Sequence, residues 1–460
     1  MQLTVHEVAN AIGAVGDFDP QSALVQRVQT DSRAVQPGDL FVCLAGERFD
    51  GHNFVAEAAA KGAVAIVSHQ PLFDLPSDPP VLLVPDTLQA LGQLAGYWRR
   101  MFTGTVVAVT GSAGKTTTKE LIANILGRQG QSAKSYKNWN NRLGVPLTIL
   151  RCSGQEEFWI LEAGISEPGE MALLGAIIAP DVAVVTNIAA VHLEGLGDVQ
   201  TVVQEKLLLC EHLTQSGTLI LSADYPELNQ RAALAVCSKA YFSTQAETAP
   251  CWCHPAQEPG AIGRFVLSCE GLRAEVELPW AGDYMAENMA AACSVAHRLG
   301  LSMEEIVAGL ETVELPEHRG QLLSCPWGGV IDDTYNANPY SMQRAITAAA
   351  HRAKERPLVL ILGEMAELGA DAEAAHAELG RFAAAAHPVL LAYQGQYSDA
   401  LVRGAQEVRP DLDVYRLQRP ADLERAWQGV RPHNPLVLVK GSRSQRMEKY
   451  LENVQKELGA

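Results

Sequence analysis

The chain is short of positive charge. Its 36 lysines and arginines are outnumbered by 53 aspartates and glutamates, for a formal net charge of −17. A surface of that sign excludes nonspecific capture of nucleic acid, although an acidic protein still binds ATP where basic residues gather. No Lys or Arg precedes Arg27, so the start of the sequence offers no basic signal-peptide region. Long hydrophobic runs are also lacking. The longest apolar stretch, 173–191, is broken by Pro180-Asp181, so no membrane insertion is expected. The nine cysteines are scattered without a Cys-x-x-Cys pair, and the nearest two, Cys251 and Cys253, are too few for a zinc site. That usage predicts reduced thiols, mostly small core residues, in a cytoplasmic protein. Internal repeats, low-complexity tracts and long linkers are absent as well.

What is present is globular: 460 residues, 47% hydrophobic and 19% charged. That length suggests roughly three domains of 100–200 residues. The organising stretch is Thr105-Val-Val-Ala-Val-Thr-Gly-Ser-Ala-Gly-Lys-Thr-Thr117. Its mostly β-branched start predicts a buried parallel strand. Leu121, Ile122, Ile125 and Leu126 then mark one face of a helix. Strand, glycine turn and helix start together make a phosphate cradle. Gly111, Ser112, Ala113 and Gly114 bring backbone N–H groups to phosphate oxygens, Lys115 adds a point charge, Thr116 a hydroxyl for Mg²⁺, and Thr117 continues the helix start. Only two residues separate Gly111 from Gly114, so this is a short variant of the P-loop.

Three units are expected along the chain. Residues 1–103 read as a small α/β domain, with Asp31-Ser32-Arg33 and the loop through Gly46 and Arg48 as turn chemistry. Residues 104–315 form the nucleotide domain. There the strand 158–162 ends on Glu162, one strand over from the P-loop and placed to hold Mg²⁺. His192 lies in a loop and Lys206 on a helix read as 199–213, and position alone gives neither a role. Residues 215–280 read as strands and turns, before a helix opened by Gly282-Asp-Tyr-Met-Ala-Glu-Asn288. Residues 316–460 form a third α/β unit of alternating strands and helices, which implies a parallel sheet.

These motifs together resemble the Mur ligase family, and within it the members that add D-alanyl-D-alanine. The resemblance spans nearly the whole chain. It rests on Asp31-Ser-Arg33, Gly46-Glu-Arg-Phe-Asp-Gly-His52, the P-loop, Asn140-Asn-Arg-Leu-Gly-Val-Pro146, Thr186-Asn187, His192-Leu-Glu-Gly195, Asp332-Asp-Thr-Tyr-Asn-Ala-Asn-Pro339, Met365-Ala-Glu-Leu-Gly369 and Lys440-Gly-Ser-Arg443. It implies a central P-loop ATPase domain flanked by an N-terminal UDP-substrate domain and a C-terminal Rossmann-like domain that binds the incoming amine. It implies ATP and Mg²⁺ as cofactors and an acyl-phosphate route to an amide. The expected substrates are a UDP-muramoyl-peptide and a dipeptide, and the expected state is a cytoplasmic monomer.

By the same resemblance Lys115, Glu162, His192, Lys206 and Arg319 are catalytic. Thr116, Glu162, His192 and a carbamylated Lys206 form the metal site. Asn288 contacts adenine, Asp333 the ribose, and Arg319 the γ-phosphate. Asp31, Ser32, Arg33, Gly46, Arg48, Asn140, Asn141, Asn336, Asn338 and Pro339 line the substrate surfaces. Two departures stand out. Tyr284 and Met285 replace a His-Asn pair usual before Asn288, and Ile165-Ser-Glu167 follows Glu162-Ala-Gly164 where an Asn-His pair is common. They leave open a paralogue that uses the same ATP chemistry on another carboxylate and amine.

Overall fold

A computed structural model describes residues 2–456 except 16–17, 20, 47–48, 73–78, 257–262, 279–281, 283, 420 and 431–432. The first α/β unit carries a four-stranded parallel sheet in the order Arg27–Gln29, Asp39–Val42, Ala65–Ser68, Val81–Leu83. A helix, Thr87–Met101, leads out of it, started by the Asp86 carboxylate, which accepts from the Leu88 and Gln89 N–H groups. This helix also ties the first unit to the second. Its buried Arg99 donates to the Ile178 carbonyl at 2.9 Å, the Ala179 carbonyl at 2.8 Å and the Asp181 carboxylate at 3.0 Å. Just beyond its end, Phe102 stacks on Trp159 at 3.8 Å. One apolar core runs continuously from Val8 and Leu40 to Leu161 and Val185, so the two units share an interior.

The central sheet has nine strands, in the order Leu272–Glu277, Arg264–Cys269, Cys251–Pro255, Ser238–Ser243, Thr218–Ser222, Val182–Val185, Thr105–Thr110, Phe158–Glu162, Ser132–Lys134. The P-loop strand lies inside it, parallel to both neighbours. Burial on both faces explains its β-branched composition. The register pairs Val109 with Glu162 and Thr110 with Val185. Three strands therefore end side by side, and ligands bind at such strand ends.

The far edge turns antiparallel: 251–255 pairs antiparallel with 264–269, and 264–269 with 272–277. The first of these pairings corrects the reading of all nine cysteines as reduced thiols. Cys251 and Cys269 sit opposite each other in register and are joined in a disulfide. The pairing is made by strand register between residues 18 apart in sequence, which spacing rules do not detect. The stretch read as strands and turns also holds a short helix, Pro226–Ala232, and the α-helix expected over 199–213 ends at Leu207, passing into a 3-10 turn over Leu208–His212.

The third unit carries six strands, in the order Gln321–Cys325, Gly328–Asp333, Leu436–Lys440, Leu358–Gly363, Leu390–Gln394, Val414–Arg416. All are parallel except the first, which pairs antiparallel with its neighbour. Helices cover both faces, with Met342, Ile346 and Leu379 in one apolar layer and Trp427, Tyr450 and Leu451 in the other. Among the described residues no helix is long and apolar enough to cross a membrane.

Candidate active site

The phosphate loop is held from behind by residues 186–189. The Ser112 N–H donates to the Asn187 carbonyl at 3.1 Å and the Ala113 N–H to Asn187 Oδ1 at 2.8 Å. Thr186 Oγ1 donates to the Ala113 carbonyl at 2.8 Å, and Ser112 Oγ accepts from the Ala189 N–H at 2.9 Å. Gly114 has φ +78°, and a Cβ there would overlap Asn288 Oδ1. Only glycine fits that combination of backbone and close approach. The helix Lys115–Leu126 begins on this glycine without a side-chain cap. Its first-turn N–H groups and dipole are thus left for an anionic ligand.

Lys115 Nζ donates to the Gly111 carbonyl at 2.8 Å. Desolvation lowers its pKa, opposed by the nearby Glu162 charge. Thr116 Oγ1 donates to Glu162 Oε2 at 2.8 Å, and Asn140 Nδ2 to Glu162 Oε1 at 2.9 Å. Glu162 is thereby fixed at the strand end, with its own N–H on Ser135 Oγ at 2.9 Å. A hydroxyl and a carboxylate beside a phosphate cradle are the hard oxygen donors that suit Mg²⁺.

Among the described residues, no three His, Cys, Asp or Glu side chains converge on a metal position. Lys206 is buried, and its pKa is pushed well below the ordinary lysine value, first by desolvation and then by the Lys115 charge. His192 Nδ1 pairs with Glu367 Oε2 of the third unit.

The third unit closes the other side. Arg319 lays its guanidinium over the Tyr335 ring, 3.8 Å from the centroid, and its buried Nε has no hydrogen-bond partner. Asp333 accepts from Lys440 Nζ at 2.6 Å across adjacent strand ends, and the same amine donates to the Asn336 carbonyl at 2.9 Å. Asn338 caps the helix Pro339–Ala353, in which Pro339 is the first residue, and donates from Nδ2 to the Ser112 carbonyl at 3.3 Å.

A cavity of about 450 Å³ brings Lys115, Thr116, Glu162, His192, Asn288, Arg319, Asp333 and Asn338 onto one surface. Lys206 is not among the residues that line it. Asn140 is spent on Glu162, and Asn141 accepts from the Leu143 and Gly144 N–H groups. Asn288 Oδ1 accepts from Thr118 Oγ1 at 3.1 Å, which braces the phosphate-loop helix.

The first-unit residues do not reach this cavity. Asp31 and Arg33 form a local fork at 2.7 and 2.9 Å, which holds the Asp31 pKa at about 2. Ser32 Oγ donates to Glu57 at 2.7 Å, and the Gly46 N–H closes a turn on the Phe49 carbonyl. Arg48 lies outside the described residues. The cavity also holds residues to which the sequence reading gave no role, among them Glu287, Tyr340, Glu367 and Lys440. Glu287, Glu367 and Lys440 lie inside quoted stretches, whereas Tyr340 was marked only by standing next to Pro339.

Three family models match the chain: the Mur ligase family catalytic domain over 24–99, the Mur ligase middle domain over 109–296, and the Mur ligase glutamate ligase domain over 318–443. The chain is 34% identical over 443 residues to the UDP-N-acetylmuramoyl-tripeptide--D-alanyl-D-alanine ligase of Escherichia coli (strain K12), covering 96% of each. It is also similar to a crystal structure of MurF from Acinetobacter baumannii, with a TM-score of 0.89, 30% identity and 99% of both chains covered. A crystal structure of MurF ligase from Thermotoga maritima in complex with ADP aligns with a TM-score of 0.83 and 29% identity, covering 94% of this chain and 98% of that one.

Proposed function

The chain belongs to the Mur ligase family, and on that premise we propose that it is the ADP-forming ligase that joins D-alanyl-D-alanine to UDP-N-acetylmuramoyl-tripeptide in peptidoglycan-precursor synthesis. The observation that carries this reading is the convergence of Lys115, Glu162 and Arg319 on one cavity between the central and third units. A carboxylate and ATP repel each other, so their reaction needs cations aimed at the transferring phosphoryl group.

Lys115 and the first-turn N–H groups hold the phosphates. Arg319 reaches the γ-phosphoryl oxygens with its guanidinium, and Asp333 with Lys440 flanks the ribose. Thr116 and Glu162 would hold Mg²⁺, which when bound would offset the phosphate charge. Lys206, whose pKa burial pushes well below the ordinary lysine value, reacts in its neutral amine form with CO₂, with loss of one proton, to give a carbamate that supplies anionic oxygens. The substrate carboxylate attacks the γ-phosphorus, ADP leaves, and the dipeptide amine displaces phosphate from the acyl phosphate. Residues from both units enclose the cavity, and this keeps water from the acyl phosphate. The reading includes a cytoplasmic monomer.

The test is ADP release with ATP, Mg²⁺ and the UDP-muramoyl-tripeptide, with and without D-alanyl-D-alanine. Turnover that needs the dipeptide, with a product heavier by the dipeptide less water, is the expected result. If the protein binds ATP but neither the lysine nor the diaminopimelate tripeptide supports turnover, the substrate assignment fails and the acid and amine must be sought elsewhere.

A further inference from the structure

Glu287 has no part in the chemistry described above, yet it is among the most deeply buried carboxyls of the chain, 4% exposed. It accepts hydrogen bonds from Tyr225 OH at 2.6 Å, Asn187 Nδ2 at 2.9 Å and Tyr340 OH at 3.3 Å. The first two donors belong to the central unit and the third to the C-terminal unit. The Tyr225 and Tyr340 hydroxyls also lie 2.7 Å apart. Arg344 donates to Tyr340 OH at 3.0 Å, and its guanidinium lies 5.5 Å from the Tyr340 ring centroid.

The network reaches the phosphate loop on the other side. Asn187 donates to Glu287 and accepts the Ala113 N–H. Two routes therefore join the loop to the start of the helix Pro339–Ala353: the direct bond from Asn338 to the Ser112 carbonyl, and the path Ala113–Asn187–Glu287–Tyr340. We propose that Glu287 is a positioning residue that docks the C-terminal unit on the phosphate loop. Its catalytic consequence rests on the ligase reading, whereas the docking itself does not.

The physical reason is the asymmetry of buried polar groups. Docked, Glu287 accepts from Asn187 and Tyr225, the single Tyr340 proton is shared between Tyr225 and Glu287, and the Arg344 cation lies nearby. Undocked, it loses Tyr340 and Arg344 while Asn187 and Tyr225 still hold it in place, and a buried carboxyl short of partners is costly. Burial already raises its pKa, in keeping with how much it depends on those partners. Because Asn187 bonds both Glu287 and the Ala113 N–H, the set of the phosphate loop and the docking of the C-terminal unit are coupled, and such coupling is reciprocal.

The experiment measures the radius of gyration of the full chain by small-angle scattering without nucleotide, alongside steady-state kinetics. Tyr340→Phe removes one hydroxyl and Glu287→Leu removes the acceptor. Both are expected to scatter as more extended particles than the wild type. Glu287→Gln retains one acceptor oxygen and offers an amide donor that a tyrosine hydroxyl accepts, so it is expected to remain compact. In dipeptide-dependent turnover, Tyr340→Phe and Glu287→Leu are expected to lose about tenfold in kcat with the KM for ATP within about twofold, as the loss of one buried hydrogen bond implies. Glu287→Gln is expected to restore the rate. Wild-type scattering from Tyr340→Phe overturns the proposal, because that variant keeps the central unit intact and removes only the docking contact. Extended scattering from Glu287→Gln also overturns it. A compact wild type that turns over nothing removes the ligase reading and leaves the docking role standing.

Discussion

His192 and Glu367 meet across the cleft between the central and C-terminal units, and each does so from a left-handed backbone conformation, at φ 53° and φ 62°. Non-glycine residues avoid that region at a cost of about 1–2 kcal/mol each. Each chain thus accepts local strain to bring its side chain to the same point. A carboxylate on Nδ1 fixes the imidazole tautomer and leaves Nε2 with its lone pair outward, the arrangement that suits a metal-ligating histidine.

Glu367→Gln keeps the shape and removes the charge. Outer-shell changes of this kind lower metal affinity or activity by about 10–100-fold. Loss on that scale in kcat/KM, with the melting temperature unmoved because the side chain is largely exposed, is the expected result. Full activity in the glutamine variant would show that His192 needs no charged partner.

Arg319→Lys tests whether the guanidinium serves the transferring phosphoryl group. A lysine ammonium neither stacks on Tyr335 as a planar group nor presents a fork. Losing one preorganised donor at a developing charge costs about 100–1,000-fold in kcat. The thermal midpoint should not fall, since the buried Nε makes no hydrogen bond in the protein. A lysine variant within a few-fold of wild type would place the γ-phosphate elsewhere.

Lys206 makes stability depend on pH. Its folded pKa lies well below the ordinary lysine value of 10.5, first because of desolvation and then because of Lys115. Between the two values the unfolded chain binds the extra proton, so stability rises with pH across that window and is lost as pH falls through it. Urea melts in CO₂-free buffer should show this slope in the wild type and a flatter one in Lys206→Met. Bicarbonate should restore activity to CO₂-stripped wild type and leave Lys206→Met inactive; indifference of the wild type to CO₂ would exclude the carbamate.

Gly114→Ala places a Cβ on Asn288 Oδ1 at a residue with φ +78°. Backbone strain of this kind costs about 1–3 kcal/mol, and the overlap adds to it. Nucleotide affinity should therefore drop more than overall stability, because the displaced atoms form the phosphate cradle. Calorimetric titration with ADP, set beside thermal melts, separates the two.

The sequence alone determined the strand-loop-helix of residues 105–126, because β-branched burial, glycine spacing and helical periodicity are all local signals that agree. It also determined the strand end that carries Glu162, and the order of motifs by which the family is recognised. The tertiary structure alone decided what those side chains do with each other. Asn140 was read as a substrate residue and lies on Glu162, 22 positions away. Cys251 meets Cys269 only because an antiparallel pairing sets their register. Glu287 and Tyr340 carry no local signal, since a buried carboxyl is distinguished from a solvated one only by the partners that surround it. Those partners come from positions 187, 225 and 340, and contacts at such separation depend on how whole sheets and helices pack, which no window of sequence contains.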